Sequence, residues 1–104
     1  MMSAADIIQN LTSKFNADAA QGLDLIFQFN IEDASNYYLV VKDGTCDVQA
    51  GDADEPNVTL IMDSETFKGI ATGETDGMQA FMSGNLRAEG DMMLAMKLSE
   101  LFPV

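Results

Sequence analysis

An apolar helix pattern at the end of the chain restricts the fold more than any other feature. Its buried side repeats every three or four residues, at Leu94, Leu98, Leu101 and Phe102. Before it, Gly84 suits the left-handed position that closes a helix, and Asp91 can cap the next one. Residues 85–89 between them are predicted to form a short strand, and Pro103 ends the last helix.

The last helix is also rich in methionine, which leaves two interpretations open. In the first, methionine is a flexible filler of an ordinary core. In the second, the helix covers a cavity that can repack around an apolar guest. The second half of the chain supplies the side chains for either one: Met62, Met78, Met82, Met92, Met93, Met96, Phe67, Phe81 and Phe102.

The middle of the chain predicts strands. Between residues 23 and 31 the apolar positions alternate with polar ones, except at Ile26. The apolar residues on the shared side are Leu23, Leu25, Phe27, Phe29 and Ile31. Residues 37–42 and 45–50 are predicted to form a hairpin around Asp43-Gly44, a pair that favours two-residue turns. An acidic connection, 51–56, leads to a fourth strand at 58–62.

Helices are predicted at the start and after the fourth strand. Ser3 and Asp6 have the spacing of a capping box. Asp63 caps a second helix that buries Phe67 and ends at Gly73, and a third, short helix spans 77–83 with Met78, Phe81 and Met82 as its apolar positions. The order α-β-β-β-β-α-α-β-α over residues 1–104 predicts one α+β domain, in which helices pack on one face of a largely antiparallel sheet.

Composition excludes several classes of partner. The 104 residues carry a formal charge of −12, which argues against nucleic acid and against stable residence on anionic membranes. No apolar run approaches membrane-spanning length, so we expect no stable membrane insertion. Cys46 is the only cysteine, and nothing indicates an oxidising compartment. The default location is the cytoplasm.

Few residues could carry chemistry. The chain has no histidine, which removes the commonest general base and metal ligand. Cys46 has acidic neighbours and is interpreted as inert. The acidic residues Asp47, Asp52, Asp54 and Glu55 do not follow a calcium-loop pattern, and no lysine follows the glycines of 73–77 to hold phosphate. We therefore predict neither enzymatic activity nor a metal or cofactor.

Two segments carry a resemblance to a known family. One runs from Pro56 through an alternating strand and Asp63-Ser64-Glu65 to Phe67. The other is Ala80-Phe81-Met82-Ser83-Gly84-Asn85-Leu86-Arg87-Ala88-Glu89-Gly90-Asp91, which leads into the leucines of the last helix. With these motifs the chain resembles the sterol-binding domain family of sterol carrier protein type 2 over nearly its whole length.

The resemblance implies a five-stranded mixed sheet with a hydrophobic tunnel between sheet and helices. It implies non-enzymatic binding, and possible transfer, of a fatty acid, sterol-like molecule or other lipid. With the apolar pattern, it gives these predicted tunnel residues: Leu25, Phe27, Phe29, Phe67, Phe81, Met82, Met93, Leu94, Leu98, Leu101 and Phe102. The acidic charge and the scarcity of cations favour an uncharged or weakly polar lipid over a fatty acyl-CoA.

A second hypothesis assigns a different function to the same apolar side chains. The chain could be an accessory subunit that presents an apolar groove, or a lipophilic intermediate, to a partner enzyme. The acidic surface would steer a basic partner toward it. The sequence does not choose between these functions, nor does it give the oligomeric state.

Overall fold

The computed structural model describes residues 3–103, so the domain limits predicted at 1 and 104 lie outside the described residues. Within 3–103 the elements follow in the predicted order: α1 Ala4–Thr12, β1 Asp24–Ile31, β2 Tyr37–Lys42, β3 Thr45–Ala50, β4 Val58–Met62, α2 Ser64–Thr72, α3 Gly77–Ser83, β5 Arg87–Gly90 and α4 Met92–Leu101. The predicted α+β class is confirmed.

The five strands form one mixed sheet in the order β3-β2-β1-β4-β5. Its only parallel pair among the described residues is β1 with β4, and the other pairs are antiparallel. The parallel register sets Phe29 beside Leu60 and Ile31 beside Met62. Directly paired residues share a face of the sheet, so these apolar side chains form one continuous surface.

The inner face of β1 is buried as the alternation predicts. Leu25, Phe27, Phe29 and Ile31 are buried and face the helices. From the helices, Ile7, Ile8 and Leu11 of α1 and Phe67 and Ala71 of α2 pack into the same core. The sheet therefore has one helix-covered face, as expected.

The opposite face of β1 is covered by the loop after β3. Gln28 is buried there, although it is polar. Its Oε1 accepts from the backbone N–H of Ala53 at 2.7 Å, and its Nε2 donates to the Gly51 carbonyl at 3.2 Å. Because these bonds satisfy the amide, a buried glutamine can hold the loop on the sheet at little cost.

Turns and caps also follow the sequence. The side chain of Ser3 accepts from the Asp6 N–H, and the Asp6 carboxylate accepts from the Ser3 N–H, both at 3.2 Å. Between β2 and β3, Asp43 and Gly44 have φ of 54° and 74°, the left-handed pair that a two-residue hairpin turn requires. The predicted capping box and hairpin are both confirmed.

The fifth strand differs from its prediction. It begins at Arg87 instead of Asn85. The N–H groups of Asn85 and Leu86 both donate to the Ala80 carbonyl, at 2.9 and 3.0 Å, and so close α3. These two residues belong to the helix end because unpaired carbonyls in the last turn of a helix compete for such donors.

Candidate functional site

A cavity of about 740 Å³ lies between the helices and the sheet. This volume falls within the range of about 300–1,000 Å³ that is typical of ligand pockets. The residues that line it come from every helix and from the centre of the sheet: Leu11, Phe29, Leu60, Met62, Phe67, Ile70, Ala71, Gly73, Thr75, Asp76, Gly77, Met78, Phe81, Leu86, Ala88, Met92, Ala95, Met96, Leu98, Ser99, Phe102 and Pro103.

The floor of the cavity is a row of side chains across three strands. The strand register sets Phe29, Leu60 and Ala88 side by side. Phe67 of α2 packs on Phe29, with 5.5 Å between the ring centroids and 35° between their planes. Such a tilted aromatic pair adds to the packing that holds both rings. Phe29 and Leu60 of this floor are buried, and Ala88 at its edge is half-buried.

The roof is α4, which is fixed more firmly at its end than at its start. At the end, the Leu101 carbonyl accepts from the Asn16 N–H at 2.7 Å, and Phe102 packs on Phe15 with 5.6 Å between ring centroids. At the start, Asp91 caps the helix by accepting from the Met93 N–H at 2.9 Å. Leu101 is the one buried residue of α4, so the first turns of this helix bury little surface against the rest of the protein.

Six exposed apolar side chains surround the roof. They are the large hydrophobic residues that remain exposed in the described part of the chain, and all belong to α3 or α4. We call this group the methionine rim: Met78, Phe81, Met82, Met92, Met93 and Met96. Met82 and Met93 are 80% and 73% exposed, and the other four also line the cavity. The apolar positions predicted for α3 therefore face the cavity or solvent, and Ala80 is its buried residue.

Polar groups in the cavity lining are few and lie mainly between α2 and α3. Thr75 and Asp76 lie in that connection, and Ser99 contributes a hydroxyl from α4. The Asp76 carboxylate caps α3 by accepting from the Met78 N–H at 3.2 Å. Asp76 is the only ionisable residue among the lining residues of the described chain.

The basic side chains described within 3–103 differ in their surroundings, but none of them belongs to the cavity lining. Arg87 pairs with Glu32 at 3.1 Å, and both side chains are exposed. Lys97 lies 3.7 Å from Glu100, one turn along α4. The Nζ of Lys14 donates at 3.2 Å to the backbone carbonyl of the lining residue Ala71. None of the lysines or arginines within 3–103 is itself a lining residue.

The remaining candidates for chemistry show no activated group. Burial, followed by the neighbouring Asp47 carboxylate, raises the pKa of the Cys46 thiol to about 11. Such a thiol is protonated near neutral pH and is a poor nucleophile. Within 3–103, no three acidic or cysteine side chains gather closely enough to hold a metal ion.

The eleven predicted tunnel residues fall into three groups. Five of them line the cavity: Phe29, Phe67, Phe81, Leu98 and Phe102. Leu25, Phe27 and Leu101 are buried in the core outside the lining, and Leu94 is half-buried against that core. Met82 and Met93 are exposed on the methionine rim. A contact of any of them with a ligand remains a prediction.

Several lining residues are absent from the set of tunnel residues predicted from the sequence. Leu60 could have been included, because its strand alternates and Phe29 faces the same layer, but the parallel register that joins them is not visible in sequence. Ala95 is small and lies on the helix beside Leu94 and Leu98. Thr75 and Asp76 were considered only as part of a phosphate loop, and no sequence pattern indicates that they border a cavity.

The family assignment follows from this fold and from a direct match. The family model described as the SCP-2 sterol transfer family matches residues 5–103. The chain belongs to the SCP-2 sterol transfer family. The resemblance found in the sequence is thereby confirmed, and domains of this family bind lipids such as fatty acids.

Individual relatives agree with the assignment. Hydroxysteroid dehydrogenase-like protein 2 of Xenopus tropicalis is 35% identical over 94 residues, which are 88% of this chain and 22% of that protein. SCP2L2 from Aedes aegypti, solved by NMR in a palmitated form, is 24% identical with a TM-score of 0.81, covering 99% of this chain and 96% of that one. A sec-alkyl sulfatase from Pseudomonas sp. is 20% identical with a TM-score of 0.87, covering 99% of this chain and 17% of that one.

The SCP-2 chain spans about a fifth of the length of the curated relatives it matches. The fold therefore occurs both as nearly the whole of a structure and as a small part of a larger enzyme. None of the helices described within 3–103 has the length and apolar character needed to cross a bilayer.

Proposed function

We propose that this SCP-2 chain binds a lipid non-covalently in the cavity between its sheet and helices, without catalysing a reaction on it. The observation that supports this most is the cavity itself, about 740 Å³ in volume, with apolar side chains on its floor and roof. The lack of histidine and the raised pKa of Cys46 support a non-enzymatic role.

Burial of an apolar chain would provide the binding free energy. Each buried methylene contributes about 0.8 kcal/mol, so a chain of about twelve contributes roughly 10 kcal/mol before costs. Lost freedom of motion removes several kcal/mol of this, which leaves an affinity in the micromolar to nanomolar range. We infer that Phe29, Phe67 and Leu98 contact the chain directly, together with Phe81 and Phe102.

The methionine rim provides a route by which a ligand can enter the cavity. Methionine has an unbranched, flexible side chain that fills gaps of changing shape. Four rim residues line the cavity and are also exposed, so a ligand can pass between α3 and α4 by moving side chains alone. Transfer of the lipid to another carrier would use the same route in reverse.

The proposal is tested by filling the cavity. Ala95→Phe adds a ring to a lining position of α4, and Ala5→Phe adds the same ring to an exposed position of α1. Each variant would be titrated with a pyrene-labelled dodecanol and followed by native mass spectrometry. We expect one probe per wild-type chain, at least about tenfold weaker binding for Ala95→Phe, and unchanged binding for Ala5→Phe.

Either of two results would contradict lipid binding in the cavity. In the first, the folded wild-type chain takes up neither this probe nor a pyrene-labelled fatty acid. Alternatively, Ala95→Phe binds as tightly as wild type while remaining folded by circular dichroism. In both cases the methionine-rich layer would be ordinary core.

The second candidate function is that of an accessory domain, and the methionine rim favours it. Exposed apolar patches mark interaction sites, and Met82 and Met93 are exposed without lining the cavity. The relative from Xenopus tropicalis is a longer protein whose name refers to a dehydrogenase. A Met82→Asp, Met93→Asp double variant should then keep lipid binding and lose capture of a partner enzyme in a pull-down, and equal capture by both proteins would exclude this candidate.

A further inference from the structure

We propose that Asp76 is a specificity-determining residue, which selects lipids whose polar end donates a hydrogen bond and carries no negative charge. This inference rests on the proposed function, because it names the class of ligand for the same cavity. The preferred ligand is an apolar chain that ends in hydroxyl groups, and a chain that ends in a carboxylate is disfavoured.

The charge of the cavity lining disfavours an anionic ligand. Asp76 is the one ionisable residue among the described lining residues, and both it and its neighbour Glu74 are exposed to solvent. The other polar side chains of the lining are the hydroxyls of Thr75 and Ser99. A carboxylate ligand placed near this group would be repelled by Asp76, whereas a hydroxyl could donate to it.

Helix ends do not reverse this preference. The first residues of α3 line the cavity, but Asp76 already places its carboxylate on the N–H of Met78. Gly73, at the carbonyl end of α2, is also a lining residue. That end carries partial negative charge, which again favours a donor over an anion.

The lysines and arginines described within 3–103 lie outside the cavity lining, and Lys42 and Lys68 among them are exposed. Arg87 and Lys97 are paired with carboxylates on the surface. Lys14 donates to the Ala71 carbonyl, so its ammonium already compensates the partial negative charge at the end of α2. An anionic headgroup bound by Lys14 would have to take its ammonium from this carbonyl.

Asp76 is held in one place by its own backbone role. As the cap of α3 it lies in extended backbone, with φ of −74° and ψ of 127°, and one oxygen accepts from Met78. A carboxylate accepts at two oxygens, so the other can receive a ligand hydroxyl. Thr75 beside it is fixed through its N–H, which donates to the Gly69 carbonyl at 2.9 Å.

The experiment compares two ligands with the same chain. Monopalmitoylglycerol and palmitate would each compete with pyrene-labelled dodecanol, below their micelle concentrations at pH 8, where palmitate is ionised. We expect the wild-type chain to bind monopalmitoylglycerol at least about tenfold more tightly than palmitate. High salt should reduce this ratio, because it screens the repulsion.

Two charge-removing variants locate the effect. Asp76→Asn keeps a cap on α3. It should bring the ratio of the affinities for monopalmitoylglycerol and palmitate close to one, mainly by improving palmitate binding. Asp91→Asn is the matched control, because Asp91 caps α4 with the same type of bond but does not line the cavity. It should leave the ratio unchanged.

The outcomes separate this inference from the proposed function. If neither lipid displaces the probe and the probe itself does not bind, lipid binding in the cavity fails. If both lipids bind but palmitate is equal or better, only the inference about Asp76 fails, and loss of palmitate binding in Lys14→Gln would assign the headgroup to Lys14. Equal shifts in Asp76→Asn and Asp91→Asn would also overturn it, since net charge alone would then explain the preference.

Discussion

The centre of the sheet and the α3–α4 region are both rich in apolar side chains, yet the first is fully packed while much of the second is exposed. In the sheet, Phe27, Leu39 and Val41 are completely buried. On the two helices, only Ala80 of α3 and Leu101 of α4 are buried, and the methionine rim is exposed. Apolar content therefore predicts burial only where neighbouring elements come close on both sides.

The physical cause is the length and closure of the helices. α3 has seven residues and stops at Gly84, whose φ is 86°. α4 begins at Met92, eight residues after that glycine, and is capped by Asp91. Short helices cannot cover the sheet face from Phe29 to Ala88 completely. The space that they leave is the cavity, and methionine tolerates such an uneven surface better than a branched side chain.

The largest effect is expected from removing a sheet-centre ring. Phe27→Ala should lower the free energy of unfolding by about 3–5 kcal/mol, because it opens a hole in a layer that is packed on all sides. Met93→Ala on the methionine rim should change it by less than about 0.5 kcal/mol. Urea unfolding followed by circular dichroism measures both.

The same two variants also test whether the methionine rim is packed less tightly than the sheet centre. A loss of several kcal/mol for Met93→Ala would mean that the rim packs against something in solution, such as a second chain. In that case the loss should depend on protein concentration, since association adds to apparent stability. A loss that does not change on dilution would instead mean that α4 is packed more tightly than its exposure indicates.

A somewhat smaller effect is expected where β5 meets β4. Gly90 has φ of 103°, and a Cβ there would lie 2.7 Å from the Asn57 carbonyl oxygen. Gly90→Ala therefore combines backbone strain with an overlap against backbone, and we expect it to lower the free energy of unfolding by about 3 kcal/mol. Thermal and urea unfolding provide the measurement.

The matched control for this glycine is Gly44 in the hairpin turn. Its φ is also positive, at 74°, but no heavy atom lies within 4 Å of an added Cβ. Gly44→Ala should cost only the conformational strain, roughly 1–2 kcal/mol. If the two variants lose the same stability, the close approach of β5 to Asn57 contributes nothing, and the β4–β5 edge is looser than the sheet centre.

The difference between the regions also explains what the sequence could predict. Local signals determine the sheet half: the alternation of β1, the turn at Asp43 and Gly44, and the capping box at Ser3 were all recognised and confirmed. Each depends on residues close together in the chain. The family resemblance added the mixed sheet, which local patterns alone did not supply.

The cavity was less predictable because it depends on distances between elements. A stripe at three- and four-residue spacing identifies the inner side of α4 but not the gap beneath it, so Leu98 lines the cavity while Leu101 does not. The start of β5 was wrong because Asn85 and Leu86 bond to Ala80 instead of β4. The polar group at Asp76 depends on how the α2–α3 connection folds back, which no local pattern indicates.

The smallest effect on stability is expected from methionine oxidation, which compares one side-chain type in both regions. Met82 and Met93 are exposed, whereas Met62 of β4 is 2% exposed. Under dilute hydrogen peroxide, peptide mass spectrometry should find sulfoxide first at Met82 and Met93 and last at Met62, because access limits the reaction. Sulfoxides confined to these two sites should change the free energy of unfolding by less than about 0.5 kcal/mol.

The oxidation order also bears on how a ligand enters. Met96 lines the cavity and is 57% exposed, so a bound lipid should slow its oxidation while leaving Met82 unchanged. Oxidation of Met62 as fast as Met82 would contradict the comparison, since it would require the sheet centre to open as readily as the rim. Slow oxidation at every methionine would instead mean that the rim is covered in solution, and the accessory function would then explain the exposed side chains better than lipid entry does.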